Sequence, residues 1–206
     1  MNVNDTKTMI LDVAQELLET RGFNAFSIKD LAERVSIRTS SIHYHFPTKA
    51  DLCRALIARH RHAVAQALGE INRQHDGAFA RLECFISLFQ TTIDAGNRMC
   101  PFGMLASDSH TLDTGSCSEL RAAFDDLENW LIAVLEEGQK AGSVHLEGTA
   151  ALEARCILAT LEGAMLVART YGDQARFSAV ARQALLKLVH RKNEHARFSK
   201  APKKGP

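Results

Sequence analysis

Long apolar runs are absent from this chain. No stretch approaches the ~18 consecutive apolar residues of a membrane span, and the opening MNVNDTKTMI lacks the basic-then-apolar order of a secretion signal. A cytoplasmic protein with no membrane partner is expected. Charge of one sign is also scarce, since 25 Lys and Arg stand against 24 Asp and Glu and leave a formal net charge of +1. The surface as a whole therefore cannot attract polyanions, and any nucleic-acid binding must come from a local patch. The five cysteines, at 53, 84, 100, 117 and 156, are odd in number, widely spaced and contain no C-x-x-C. That pattern excludes a disulfide framework and a structural zinc site and leaves mostly buried, reduced thiols. Only four prolines occur, two of them in the last five residues. With hardly any period-2 alternation, helix is the element that remains, and the expected fold is all-α.

What is present is helical periodicity. Ile10, Val13, Ala14, Leu17 and Leu18 recur on one helical face, and Gly22 follows as a stop. Ser27 with Asp30 forms a capping pair for a short helix carrying Ile28, Leu31, Ala32 and Val35. After Ser36-Ile37 a third short helix is expected from about Arg38 to His45. Phe46-Pro47 ends it, because the residue before proline is pushed out of the α region. Thr48 with Asp51 is a second capping pair and launches a longer helix to about Arg73. Phe79, Leu82, Ile86, Phe89 and Ile93 mark the next, and a short helix follows Pro101. Leu120, Phe124, Leu127, Leu131 and Val134 mark one entered near Ser116 and left at Gly138 or Gly142. Residues 150–170 and 176–191 supply the last pair. The expected division is an N-terminal bundle over 1–50, a larger helical domain over 51–195 and a disordered basic tail over 196–206.

The densest polar cluster is RTSSIHYHFPTKADL, residues 38–52. It is a poor metal site: His43 and His45 are two residues apart on a helix and point roughly 200° from each other, whereas one-face ligation needs a spacing of three or four. His60 and His62 repeat that mismatch, and no H-E-x-x-H occurs. Neither metal nor cofactor is expected. Recognition fits better, because two short helices at a tight turn are the parts of a helix-turn-helix, whose second helix enters the major groove of double-stranded DNA. Here that helix opens with Arg38, a guanidinium able to read guanine bidentately. Thr39, Ser40 and Ser41 follow, short enough to let the backbone approach. His43 is expected toward the groove, Tyr44, His45 and Lys49 at the DNA backbone, and the helix N-terminus at Ser27 and Lys29 as a seat for a phosphate.

The run FSIKDLAERVSIRTSSIHYHFPTKADL, residues 26–52, resembles the DNA-binding signature of the TetR family of bacterial transcriptional regulators. That signature is close to T-[ILV]-x-x-I-A-x-x-A-G-V-S-x-G-x-[ILF]-Y-x-[HY]-F-x-[ST]-K-x-x-L, and His45, Phe46, Lys49 and Leu52 fall in register. The resemblance covers about residues 6–56 and implies Tyr44 as a phosphate contact. It also implies a homodimer that holds a palindromic operator through these helices and represses until a small molecule binds the larger domain. Ser36 stands where the family has glycine, and serine tolerates positive φ less well. Arg38 and Ser40 stand where serine and glycine are common, so the contacts of this recognition helix differ from those of its relatives.

Beyond this region, RMCPFGMLASD is the most unusual stretch. Cys100 precedes Pro101, a favoured first-turn residue, so its sulfur is expected at a helix N-terminus where the dipole and Arg98 favour an accessible thiolate. Cys117 is the candidate resolving partner, and the plainer reading is an inert core thiol. A Cys-x-x-Gly element here resembles those of several TetR-family subgroups, some responsive to electrophiles. By the same resemblance the effector pocket lies between about residues 55 and 142. Phe85, Phe89, Met99, Phe102, Met104, His110 and Trp130 then join Cys100 as candidate contacts for a mainly hydrophobic effector with one or two polar anchors. CILATLEGAMLVA, residues 156–168, is apolar nearly all round, and Phe177, Val180, Ala181, Ala184, Leu185 and Leu188 form a broad stripe. A helix apolar on both sides must be covered on both, so residues 150–191 are expected to pair with a second copy. The reading is a ligand-released dimeric repressor, not an enzyme, whose effector shifts the helix that starts at Thr48. The alternatives are a small helical enzyme using Cys100, for which no base is evident beside the sulfur, and a regulator indifferent to effectors.

Overall fold

The computed structural model describes residues 3–96 and 98–188. The expected tail and the end of the expected pairing segment, 189–191, lie outside them. The described chain forms nine α-helices and one 3₁₀ turn, with no strand. None of these helices is long and apolar enough to cross a membrane.

Helix α1 (Val3–Arg21) buries Ile10, Ala14, Leu17 and Leu18 and stops at Gly22, where φ is 98°. Helix α2 (Ile28–Val35) starts at a complete capping box: the Ser27 hydroxyl accepts from the Asp30 N–H, and the Asp30 carboxylate accepts from the Ser27 N–H and hydroxyl. The Ser27 bonds hold the Asp30 carboxyl below the usual carboxylate range. At its other end the Ser36 N–H donates to Glu33 at 3.1 Å and the Ile37 N–H to Ala32 at 3.0 Å, the Schellman pattern that satisfies the last carbonyls. It places Ser36 at φ 60° and ψ 41°. Helix α3 (Thr39–His45) begins one residue later than expected, with Arg38 as its extended N-cap. Ile42 and Phe46 are buried beneath it and anchor it by about 1.5–3 kcal/mol each.

Helix α4 (Lys49–Gln74) repeats the capping box with Thr48 and Asp51. Its covered face packs on α1 near the start, and on α5 (Ala78–Asp94), α6 (Pro101–Ser107) and α7 (Thr114–Lys140) further along. Between α6 and α7 lies the 3₁₀ turn, Ser109–Thr111. Asp113, rather than Ser116, caps α7, and the helix runs through Gly138 to Lys140. Gly138 is a packing position and not a stop: a Cβ there would come within 2.6 Å of Val144 and 2.7 Å of Ala78. Helices α8 (Ala150–Tyr171) and α9 (Gln174–Leu188) lie against each other, with α7 and α5 beside them.

Hydrogen bonds tie the end of α1 and the residues just after it to the larger bundle. The Met99 N–H donates to the Glu19 carbonyl at 3.0 Å, and the Asn24 N–H donates to the Asp108 carboxylate at 3.1 Å. Arg169, on α8, donates to the Thr20 carbonyl. The two flanks of α6 and the last turn of α8 thus hold the same short segment, 19–24.

Candidate nucleic-acid interface and effector cavity

Helix α3 presents Thr39, Ser40, His43 and Tyr44 to solvent, with exposed Arg38 at its head, while Ser41 and His45 are partly covered. Tyr44 is 76% exposed and stands edge-on to His45 at 5.1 Å between ring centres. The Arg38 side chain caps nothing. The His43 Nδ1–H donates to the Pro47 carbonyl at 3.1 Å. No carboxylate occurs between residues 38 and 50. The strip offers a guanidinium, hydroxyls and an imidazole to a polyanion without a like charge among them.

Lys49, expected at the DNA backbone, is already bonded within the fold. Its Nζ donates to the Phe23 and Phe26 carbonyls at 2.7 and 2.6 Å and lies 4.6 and 5.0 Å over their rings, and burial lowers its pKa. The ammonium clamps the first turn of α4 to the α1–α2 connection. Acceptors 26 and 23 residues upstream are invisible to a reading of local spacing. The Ser27 hydroxyl is engaged in its capping box. Lys29 is exposed, 3.9 Å from Glu33, a surface pair of little energy.

A second site lies among α4, α5, α6 and α7. An inner cavity of about 60 Å³ is walled by His60, Phe85, Phe89, Cys100, Phe102 and Leu127, among others. An outer groove of about 320 Å³, lined by Arg61, Asn72, Asp126 and Trp130, shares Val64, Phe102 and Leu127 with it. The Phe102 ring meets His60 edge-on at 4.5 Å. Trp130 stacks on Phe85 at 5.4 Å and donates to Asn72 Oδ1 at 3.2 Å. The fold therefore brings together Phe85, Phe89, Cys100, Phe102 and Trp130. Met99, Met104 and His110 do not line either space. Met99 is buried where its N–H meets Glu19, Met104 turns its sulfur to Arg169 at 3.7 Å, and His110 is exposed on the 3₁₀ turn.

His60 was missed as a cavity residue because the sequence weighs it only against His62. The signal is nonetheless present, since it stands three and four residues after Ile57 and Leu56 on the covered stripe that runs on to Val64. Burial pushes the His60 imidazole down to about 4, so the ring is neutral.

The expected accessible thiolate at Cys100 is corrected by its surroundings. The residue does take the N-cap position before Pro101, but it is buried. Burial first, and then the neighbouring Glu162 carboxyl, push its pKa well above the usual thiol value. Arg98, expected to favour the thiolate, pairs with Glu19 at 3.2 Å. Cys117 turns its sulfur to the Ser109 and Leu112 carbonyls at 3.6 and 3.9 Å. Glu162 itself has a carboxyl oxygen with no partner among the described residues, and burial pushes its pKa up to about 7. It fits under α6 only because residue 103 is glycine, where a Cβ would overlap its carboxylate.

Large apolar side chains remain uncovered on α8 and α9: Leu152, Leu166, Val167 and Tyr171 on one, Val180 and Leu186 on the other. This is the face expected to meet a second copy.

Comparison with known proteins gives a consistent answer. Residues 10–56 match the family model described as bacterial regulatory proteins, tetR family. Residues 78–183 match the one described as the LmrA/YxaF-like transcriptional regulator C-terminal domain. The crystal structure of a TetR-family regulator from Agrobacterium tumefaciens is 35% identical with a TM-score of 0.89, and the match covers 92% of this chain and 100% of that one. A TetR regulator from Legionella pneumophila is 34% identical with a TM-score of 0.82, covering 91% and 100%. The HTH-type transcriptional repressor KstR2 of Rhodococcus jostii (strain RHA1) is 26% identical over 187 residues, 87% of either chain. Each of these relatives is named a regulator or repressor of transcription.

Proposed function

Because this chain belongs to the TetR family of bacterial transcriptional regulators, we propose that it is a repressor that holds a palindromic operator as a homodimer and lets go when a small molecule fills its cavity. One α3 enters the major groove of each half-site, with Arg38, Thr39, Ser40 and His43 toward the bases and Tyr44 toward a phosphate. The observation that carries this reading is the exposed, carboxylate-free strip from Arg38 to Tyr44. Dimerisation through residues 150–191 covers the apolar side chains left open on α8 and α9 and sets the spacing of the two recognition helices.

Release follows from what α4 and α6 carry. His60 lines the cavity and Lys49 clamps the α1–α2 connection, and the two are eleven residues, or about 16 Å, apart on one helix. Phe102, on α6, walls the same cavity, while residues flanking α6 hold Glu19 of α1 and Asn24 just beyond its end. A ligand that shifts either helix alters how the α3 pair is presented. It need favour one spacing over the other by only ~2–3 kcal/mol to change operator affinity about a hundredfold.

Tyr44→Ala tests the interface. The expected result is at least a tenfold loss of affinity for an operator selected from random duplexes, with the dimer intact by sedimentation. Unchanged affinity, or loss of the dimer along with DNA binding, would count against it.

A further inference from the structure

We infer that the effector is an uncharged, mainly apolar small molecule with one hydrogen-bonding group, that His60 holds that group, and that Phe102 is the side chain the ligand moves aside. The inference rests on the effector reading above and adds the ligand's chemistry to it.

The His60 ring lines the inner cavity and has no hydrogen-bond partner among the described residues. A half-buried polar group that faces a mainly apolar space is stabilised by whatever supplies the missing bond. The remaining wall is apolar except for the Cys100 thiol and Thr92, whose hydroxyl already donates to the Leu88 carbonyl at 3.0 Å. No Asp, Glu, Lys or Arg lines the space, and behind Cys100 stands the Glu162 carboxyl. A carboxylate or an ammonium entering here leaves its water and meets no counter-charge in the wall. The imidazole, kept neutral by burial at a pKa of about 4, offers one donor and one acceptor.

Volume identifies the moving part. About 60 Å³ in the inner cavity admits only a few water-sized groups. Phe102 is the largest of the three side chains that divide it from the outer groove of about 320 Å³. Swinging that ring joins the two and lets a ligand extend from Trp130 to His60. The charges at the groove, Arg61 and Asp126, already pair with each other at 2.5 Å.

The test uses 4-propylphenol, propylbenzene, 4-propylbenzoate and 4-propylbenzylamine, titrated calorimetrically into the full chain. Emission of Trp130, its one tryptophan, is the second readout. Operator binding is measured in the same preparations, so that failure of the repressor reading shows as DNA binding absent before any probe is added. The phenol should bind about tenfold tighter than propylbenzene and than either ion. It should also move the ring-nitrogen resonances of His60 in the unaltered protein, which propylbenzene should not. His60→Leu should keep propylbenzene binding, a sign of an intact cavity, and lose the phenol's advantage, and His60→Gln should restore part of it. Phe102→Leu should tighten the phenol several-fold. Equal affinity for phenol and benzoate overturns the inference. So do a still His60 resonance, an unchanged preference in His60→Leu, or no probe binding to a chain that holds its operator.

Discussion

The first turn and the middle of α4 stand in regions of opposite construction. At Lys49 the caps are complete: Thr48 and Asp51 satisfy each other's backbone groups, Ser27 and Asp30 do the same on α2, and the lysine itself bonds two carbonyls. Eleven residues further on, His60 has no hydrogen-bond partner among the described residues, and across α6 the Glu162 carboxyl has an oxygen without one. The N-terminal bundle fixes a shape that must be the same each time it meets DNA. The larger bundle keeps polar groups whose energy depends on what occupies the space beside them. Paired and unpaired polar groups are therefore separated along one helix.

Titration should break this contrast most strongly. Glu162 moves from its ordinary 4.5 to about 7 on folding. Between those values the unfolded chain releases a proton that the folded chain keeps, so stability falls as pH rises, by up to about 3 kcal/mol. His60 moves from 6.5 to about 4. In that window the unfolded chain binds a proton that the folded chain refuses, so stability rises with pH by a similar amount. Between pH 4.5 and 6.5 the two oppose each other. Arg155, on the same surface as Glu162, pairs with Glu128 at 3.1 Å and leaves the balance to these two. The urea midpoint of the unaltered protein should be nearly flat across that window. Glu162→Gln should make it rise with pH, and His60→Leu should make it fall. Parallel profiles in all three proteins would sink the claim that either group is held in a dry setting.

A smaller effect is expected at the glycine that gives Glu162 its place. The Cβ of Gly103→Ala would overlap the carboxylate and come within 3.1 Å of its Cδ, and overpacking of this kind costs about 1–3 kcal/mol. Adding Glu162→Ala to Gly103→Ala should recover much of that loss in a thermal melt. If the two losses simply add, the close approach is not what constrains residue 103.

Much of the N-terminal bundle was legible because its determinants are local. Capping pairs three residues apart, an apolar stripe and a proline fixed four helices to within a residue or two. The strip from Arg38 to Tyr44 was legible for the same reason. The Lys49 clamp was not legible, because its acceptors belong to another element. The cavity was legible only as a list of large apolar side chains: five of the eight expected contacts line it or its groove, and Met99, Met104 and His110 do not. Periodicity shows that a residue is covered without showing by what, and only the tertiary arrangement decides. Cys100 illustrates the limit, since Pro101 correctly marks the helix start while the burial that raises its pKa comes from elements far away in sequence.

The smallest expected effect lies at the turn, where the N-terminal bundle departs from its own completeness. Ser36 is the one non-glycine with positive φ among the described residues. A side chain in the left-handed region costs about 1–2 kcal/mol, while glycine there gives back roughly 0.5–1 kcal/mol in unfolded-state entropy. Ser36→Gly should therefore raise stability by only about 0.5 kcal/mol, and Ser36→Val, β-branched and less tolerant of that region, should lower it by more than 1 kcal/mol. Because the Ser36 and Ile37 N–H bonds to Glu33 and Ala32 are backbone bonds, glycine preserves the turn, and operator affinity should stay within about twofold of the unaltered protein. A Ser36→Gly protein that is more stable but binds its operator much more weakly would show that the serine hydroxyl, exposed beside Arg38, belongs to the DNA contact and not only to the turn.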